Sequence, residues 1–292
     1  MKLKLGDTIG IIALSGVCDR EKVEQSKAYF ESLGYNVKLS KNIYDSNHYL
    51  AGSDEDKVNE LHKFFEDSKI KLIMCARGGY GGIRLIDKID YELIKANPKP
   101  FCGFSDVTSL LIMIYKKTGL ITYHAPMACT DFAGLSVKGV GVNEYTQSSF
   151  FDAVEGKRFS LEANKVYKNG YAQGVLIGGN LTTVASLCGQ KFIPDEYFIF
   201  FAEDLNEPVY KIDRMFQQLF NIKKFSRLCK GIILGDFLEV DNKEWLDEYL
   251  EDLSKRLKVP MVGGFKITHG SEKMTMPIGR FAQINEKKLI IP

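Results

Sequence analysis

The chain has 292 residues, at about 150 per domain enough for two domains around a large buried core. Hydrophobic residues make up 45% and charged residues 26%, which excludes a disordered, collagen-like or coiled-coil chain. Lys+Arg 39 against Asp+Glu 37 leaves +2, too balanced for a protein whose main partner is a nucleic acid or another polyanion.

Thr8 to Leu14 is a short continuous apolar run, as expected of a strand buried on both faces. Asp19 then caps a helix in which Val23, Ser26, Phe30 and Leu33 share a face, and Gly34 ends it. Tyr35 to Leu39 alternates as a strand. Ser53 opens a second helix with Val58, Leu61 and Phe65 on one stripe. Ile70 to Ala76 reads as the third strand, followed by the turn Arg77-Gly78-Gly79-Tyr80-Gly81-Gly82 and a short helix to Lys88. Strand Phe101 to Phe104, helix Val107 to Lys117 and strand Leu120 to His124 complete an alternating α/β half with a mostly parallel sheet.

From Ala125 to Tyr167 the pattern loosens, with Gly134, Gly139, Gly141 and Gly156 and no long periodic segment, and a linker is expected there. Beyond it, Gly174 to Ile177, Tyr197 to Ala202 and Gly231 to Leu234 read as strands. Ile212, Met215, Phe216 and Leu219 mark a helix, a second helix carries Trp245, and Met274 to Ile278 and Lys287 to Ile291 close the chain as strands. The expected fold is α/β, with a first domain over 1–150 and a smaller mixed α/β domain over 151–292.

The longest apolar runs, such as Leu110 to Tyr115, fall far short of a membrane span. Asp7 and Gly10 interrupt the first apolar stretch, so no signal peptide is expected. Cys18, Cys75, Cys102, Cys129, Cys188 and Cys229 form no CxxC pair; buried reduced thiols fit a cytoplasmic protein.

In open α/β sheets functional groups collect at the carboxyl ends of strands, and three such loops hold unusual residues. In Gly103-Phe104-Ser105-Asp106, a serine on a strand-to-helix turn is lifted toward a substrate carbonyl, and the Asp106 N–H faces a developing oxyanion. The alternative is that Ser105 is simply the helix N-cap. The glycines at 78–82 serve either as an oxyanion-hole wall or as a plain tight turn; no Gly-Lys-Ser/Thr follows, which argues against a nucleotide loop. Glu203-Asp204-Leu205-Asn206-Glu207 either binds a metal, orients a base or is merely solvated. Of the four histidines, His48 and His62 read as structural, His124, which leads into Ala125-Pro126, reads as a loop anchor, and His269 lies in a polar turn. No paired spacing such as H-E-x-x-H exists, which argues against zinc.

Together these pieces resemble the LD-carboxypeptidase family of serine peptidases, which also contains the microcin-immunity peptidases. The matching segments are Gly6 to Ile11, Arg77-Gly78-Gly79-Tyr80-Gly81, Gly103-Phe104-Ser105-Asp106, Glu203-Asp204 with Glu207-Pro208 and Asp213-Arg214, and His269 followed by Pro277-Ile278-Gly279. They run in the family's order over nearly the whole chain. The resemblance implies a flavodoxin-like nucleophile domain, a C-terminal domain supplying acid and histidine, no metal or cofactor, and a homodimer. Carried over by position, Ser105 is the nucleophile, His269 the general base and Glu203 its orienting carboxylate, with Glu207 as rival. The N–H groups of Gly79 and Asp106 form the oxyanion hole. Phe104, Ala125 and Ala202 depart from the family's usual tyrosine, glycine and larger apolar residue, and none removes a catalytic group.

The implied substrate is a cytoplasmic murein tetrapeptide that loses its terminal D-alanine, with Arg77 and Arg214 as candidates for binding its carboxylate. One alternative is a self-immunity peptidase acting on a peptidyl- or aminoacyl-nucleotide, which needs an aromatic surface; Tyr145, Phe150 and Phe151 are its candidates. The other is a non-catalytic binder of cell-wall peptides.

Overall fold

The computed structural model describes residues 3–133, 135–136, 139–140 and 142–292; Gly134 and Gly141 lie outside them. Strand β1 (Thr8–Ile12) shows why a continuous apolar run builds a central strand. Ile9 and Ile11 pack on one face with Val23 and Phe30 of helix α1 (Arg20–Ser32). Ile12 and the following Leu14 pack on the other, with Leu61 and Phe64 of helix α2 (Asp54–Glu66), which lies beyond strand β2 (Asn36–Leu39). Alternate residues of one strand thus fill two cores. The predicted caps are in place: Asp19 accepts from Lys22 N–H and Ser53 from Asp56 N–H.

Strand β3 (Ile70–Cys75), helix α3 (Tyr91–Ala96), strand β4 (Phe101–Gly103), helix α4 (Thr108–Thr118) and strand β5 (Thr122–His124) continue the first half. Between β3 and α3 a 3-10 turn, Gly82–Arg84, stands where a short helix to Lys88 was expected, and the chain then continues as a turn in which Lys88 N–H donates to Leu85 O at 2.9 Å. The expected featureless linker is also corrected. After the two-residue strands β6 (Leu135–Ser136) and β7 (Gly139–Val140), helix α5 (Glu144–Val154) is capped by Asn143 and buries Thr146, Phe150, Ala153 and Val154. Its β-branched, aromatic and serine residues are poor helix formers, so burial rather than propensity holds it.

Strands β8 (Phe159–Glu162), β9 (Lys165–Lys168) and β10 (Tyr171–Asn180) follow, then helix α6 (Leu181–Ser186), strand β11 (Phe198–Leu205) and helix α7 (Val209–Phe220). Helix α8 (Lys223–Leu228), strand β12 (Cys229–Leu238), helix α9 (Lys243–Arg256) and strands β13 (Met261–Gly263), β14 (Met276–Ile278), β15 (Phe281–Asn285) and β16 (Lys288–Ile291) complete the chain.

Two sheets result. The first runs β14-β5-β4-β3-β1-β2, parallel except for β14, which comes from the far end of the chain and pairs Met276 with His124. The second runs β8-β16-β15-β10-β11-β12-β13-β9, with a parallel centre from β10 to β13 and antiparallel arms. Leu110 of α4 and Leu176 of β10 belong to one continuous apolar core, and Asn180 N–H at the carboxyl end of β10 donates to Thr108 Oγ1 at the start of α4 at 3.3 Å. All six cysteines are free. No helix among the described residues is long and apolar enough to cross a membrane.

Candidate active site

Ser105 lies two residues past the end of β4, after Phe104, and has φ 61, a left-handed conformation that is costly for a residue with a side chain. The turn is this tight because Gly103 has no side chain: a Cβ there would lie 2.7 Å from Val107 Cγ1. Ser105 opens a 3-10 turn (Ser105–Val107) leading into α4, and no side chain caps either helix, so the N-cap role is not observed. Its hydroxyl makes no hydrogen bond among the described residues.

Asp106 has a second role that sequence pattern did not reveal. Its buried carboxylate accepts from Ser15 Oγ at 2.6 Å and from Gly82 N–H at 2.7 Å. One side chain therefore ties the serine turn to the end of β1 and to the glycine-rich loop. That loop lies against the serine: a Cβ on Gly78 would come within 3.0 Å of Ser105 Cβ and 3.1 Å of its Oγ. The Gly78 carbonyl accepts from Gly16 N–H and from Arg77 Nε, both at 3.2 Å. In a trans peptide the Gly79 N–H points the opposite way, and it donates to no other group of the described residues. Arg77 also donates from Nη1 to Val17 O at 3.1 Å, so it braces the loop backbone.

Glu203 and Asp204 lie within β11 rather than in a loop after it. Register explains the difference: β11 pairs with β10 as far as Asn180 opposite Glu203, and a shift against β12 re-aims the two carboxylates. The three acids then separate. Glu203 is fully buried, and its Oε2 lies 2.7 Å from His269 Nδ1. Asp204 accepts from Asn180 Nδ2 at 2.7 Å and from the Thr182 N–H and hydroxyl, both at 2.9 Å. Glu207 pairs with Lys211 at 3.1 Å and makes no contact with His269. Burial raises the Glu203 carboxyl above its ordinary value, opposed by the hydrogen bond and charge of His269. Glu203 Oε1 is buried without a partner.

His269 sits in the irregular segment between β13 and β14, with its ring 4.9 Å from that of Phe104, the residue before Ser105. The structure thus gathers Ser105, Asp106, Gly79, Glu203 and His269 at the carboxyl ends of the strands. No hydrogen bond joins Ser105 Oγ to His269, a looseness common when no substrate is bound. Arg214 is exposed on α7, with no hydrogen bond or ion pair among the described residues. His62 accepts from Asp90 N–H at 2.9 Å and is structural, as expected.

His124 departs from the expected loop anchor. It is wedged between Phe104 and Phe201, its Nδ1 has no partner, and burial, followed by the charges of His269 and Lys273, pushes its pKa down to about 3. Lys273, four residues after His269, forms a buried ion pair with Asp131 at 2.6 Å. Neither residue stood out in the sequence, because irregular segments carry no periodic signal. Of the aromatics considered for a stacking surface, Phe150 is fully buried and Phe151 stacks on Tyr35, which leaves Tyr145 exposed. Among the described residues no three His, Cys, Asp or Glu side chains converge as a metal site.

The α/β fold holds a strained serine turn beside a carboxylate-bound histidine, and the comparisons place the chain among peptidases of the hydrolase class. The chain belongs to the LD-carboxypeptidase family: its N-terminal domain matches residues 9–125 and its C-terminal domain residues 173–284. A probable murein peptide carboxypeptidase of Bacillus subtilis (strain 168) is 36% identical, across 99% of this chain and 92% of that one. The wild-type apo structure of the microcin C7 self-immunity protein MccF of Escherichia coli superposes with a TM-score of 0.89 at 26% identity, covering 99% of this chain and 97% of that one. The muramoyltetrapeptide carboxypeptidase of Oxalobacter formigenes gives 0.87 at 26% identity, over 97% and 98%.

Proposed function

We propose that this protein is a serine carboxypeptidase that hydrolyses the L–D amide bond of murein tetrapeptides and releases the terminal D-alanine. The observation that carries the reading is the contact of His269 with buried Glu203, delivered beside the strained Ser105 turn.

A hydroxyl is a weak nucleophile until a base takes its proton. With Glu203 ionised, His269 donates its Nδ1–H to Oε2, which leaves the Nε2 lone pair for Ser105. Oγ attacks the scissile carbonyl, the proton passes to Nε2, and Glu203 stabilises the imidazolium. The Gly79 and Asp106 amides hold the oxyanion, each such donor typically contributing ~3 kcal/mol in the transition state. His269 protonates the departing amine of D-alanine. Water then attacks the acyl-enzyme with His269 as base, releasing the tripeptide and restoring Ser105.

Arg77 and Arg214 remain the proposed partners of the substrate carboxylate. Arg77 stands beside Gly79, whereas nothing ties Arg214 to Ser105. The resemblance further implies a cytoplasmic homodimer of chains divided at about residue 150; light scattering checks the dimer. Retention of every catalytic group argues against a non-catalytic binder.

The test is mass spectrometry of a tetrapeptide panel, and of an aminoacyl-sulfamoyl adenosine, after incubation with wild type and Ser105→Ala. Loss of one D-alanine with wild type alone supports the reading. Cleavage confined to the sulfamoyl adenosine moves the function to the immunity branch, and turnover by Ser105→Ala overturns the nucleophile.

A further inference from the structure

His269 stands on a segment with no regular secondary structure, yet a catalytic base must be held to a fraction of an ångström. Its Nδ1 contact with Glu203 fixes one end of the ring. The backbone beneath it is fixed by Lys273, whose Nζ donates to Gly270 O at 2.6 Å and makes a long contact with His269 O at 3.4 Å. The same ammonium meets Asp131 Oδ1 at 2.6 Å, with the two side chains 9% and 6% exposed. It also lies 5.0 Å from the centre of the Phe104 ring, which itself packs edge-on against the His269 imidazole.

Asp131 is immobilised in turn. Its Oδ2 accepts from Met127 N–H and from Thr130 Oγ1, both at 2.8 Å, within the helical turn Ala128–Phe132. Lys273 N–H donates to Thr146 Oγ1 at 2.8 Å, which adds α5 to the anchorage. A buried pair is retained at a considerable desolvation cost, and this one touches both the backbone and the ring that set the imidazole.

We propose that the Lys273–Asp131 pair is a positioning device for His269, coupling the 128–132 turn to the catalytic base. The proposal rests on the reading of His269 as that base. The pair also sets the field at the imidazole. The charged and titratable groups facing it are Glu203 from β11, His124 from β5, Lys273 from its own segment and, through Lys273, Asp131.

The test uses the full-length chain with histidines labelled at Cε1, and follows the His269 titration by NMR in wild type, Asp131→Asn, Lys273→Met and the double variant. Asp131→Asn leaves an uncompensated ammonium, and the His269 pKa is expected to fall by about half a unit to one unit. Lys273→Met leaves an uncompensated carboxylate, and the pKa is expected to rise by about as much. The double variant is expected near the wild-type value. On the tetrapeptide, kcat is expected to drop about 10- to 100-fold in each single variant with KM within about threefold, and Lys273→Arg to recover most of it.

Titrations that move the same way in both single variants, or not at all, overturn the proposal. If the single variants do not fold, the double variant, with no lone buried charge, decides through kcat: wild-type turnover overturns the proposal, and a 10-fold or greater loss with unchanged KM supports it. Should wild type fail to cleave the tetrapeptide, the functional reading fails while the NMR titration still decides the pair.

Discussion

Replacing His124 by phenylalanine tests how completely this site excludes water. The histidine is wedged between Phe104 and Phe201, and its pKa falls from the ordinary 6.5 to about 3. The unfolded chain therefore binds a proton between about pH 6.5 and pH 3 that the folded chain does not accept. Stability attributable to this residue is lost as pH falls through that window, at about 1.4 kcal/mol per pH unit. The loss reaches about 2 kcal/mol at pH 5 and about 3 kcal/mol at pH 4, a large share of the 5–15 kcal/mol of a typical fold. His124→Phe keeps a ring between the same neighbours but cannot titrate. Its stability at neutral pH is offset by whatever the repacking costs, because Gly179 leaves little room: a Cβ there would lie 3.2 Å from His124 Nδ1. The prediction concerns the difference between the two proteins, in which the titration of every other group cancels. Urea unfolding at pH 7.5, 6.0, 5.0 and 4.5 should show the variant gaining on wild type by about 2 kcal/mol between pH 7.5 and pH 5. A difference that stays constant over this range would mean that His124 takes up its proton inside the fold, and the burial argument would be wrong.

Ser105→Ala and His269→Ala are each expected to lower kcat by several orders of magnitude with substrate binding little changed, measured by turnover and by equilibrium dialysis. Glu203→Gln should cost about 10³- to 10⁴-fold in kcat by removing the acceptor that fixes the His269 tautomer, whereas Glu207→Gln, which touches only Lys211 and Thr182, should stay within about twofold. Since burial raises the Glu203 carboxyl, falling pH removes its charge as well as protonating His269; the acid limb of kcat/KM should be steeper than a single titration in wild type and single in Glu203→Gln. Gly78→Ala, whose Cβ would come within 3.1 Å of Ser105 Oγ, should lower kcat about 100-fold, while Gly103→Ala, 2.7 Å from Val107 Cγ1, should destabilise the fold by about 1–3 kcal/mol in chemical denaturation. Activity is expected to survive EDTA.

The candidate site was legible only in part. Ser105 and the loop at 77–82 stood out because a serine and a run of glycines after apolar strands break local rules that ordinary turns obey. Glu203 and Glu207 were not separable from spacing, since both are acids near one strand end. Strand register separated them, burying Glu203 against His269 and leaving Glu207 with Lys211. Asp106 looked like an amide donor only; its carboxylate proved to fasten three segments, a role visible once Ser15 and Gly82 are adjacent. Asp131 and Lys273 gave no signal, because their ion pair joins segments far apart in the chain, and the burial of His124 between Phe104 and Phe201 depends on packing of the same kind.

By itself the order of residues determined what depends on neighbours in the chain: the two-faced strands, the caps at Asp19 and Ser53, the α/β alternation of the first half and the tight bend that lifts Ser105. The second half's antiparallel arms, helix α5 and the return of β14 to the first sheet were decided by tertiary packing, which selects among pairings that local pattern leaves equivalent. The meeting of His269 with Glu203 and with Phe104, the residue before Ser105, belongs to that class. The contact with Phe104 joins residues more than 160 positions apart: a shared apolar core between α4 and β10, with Lys273 and Glu203 gripping an otherwise irregular segment, sets the imidazole against the ring that precedes the serine.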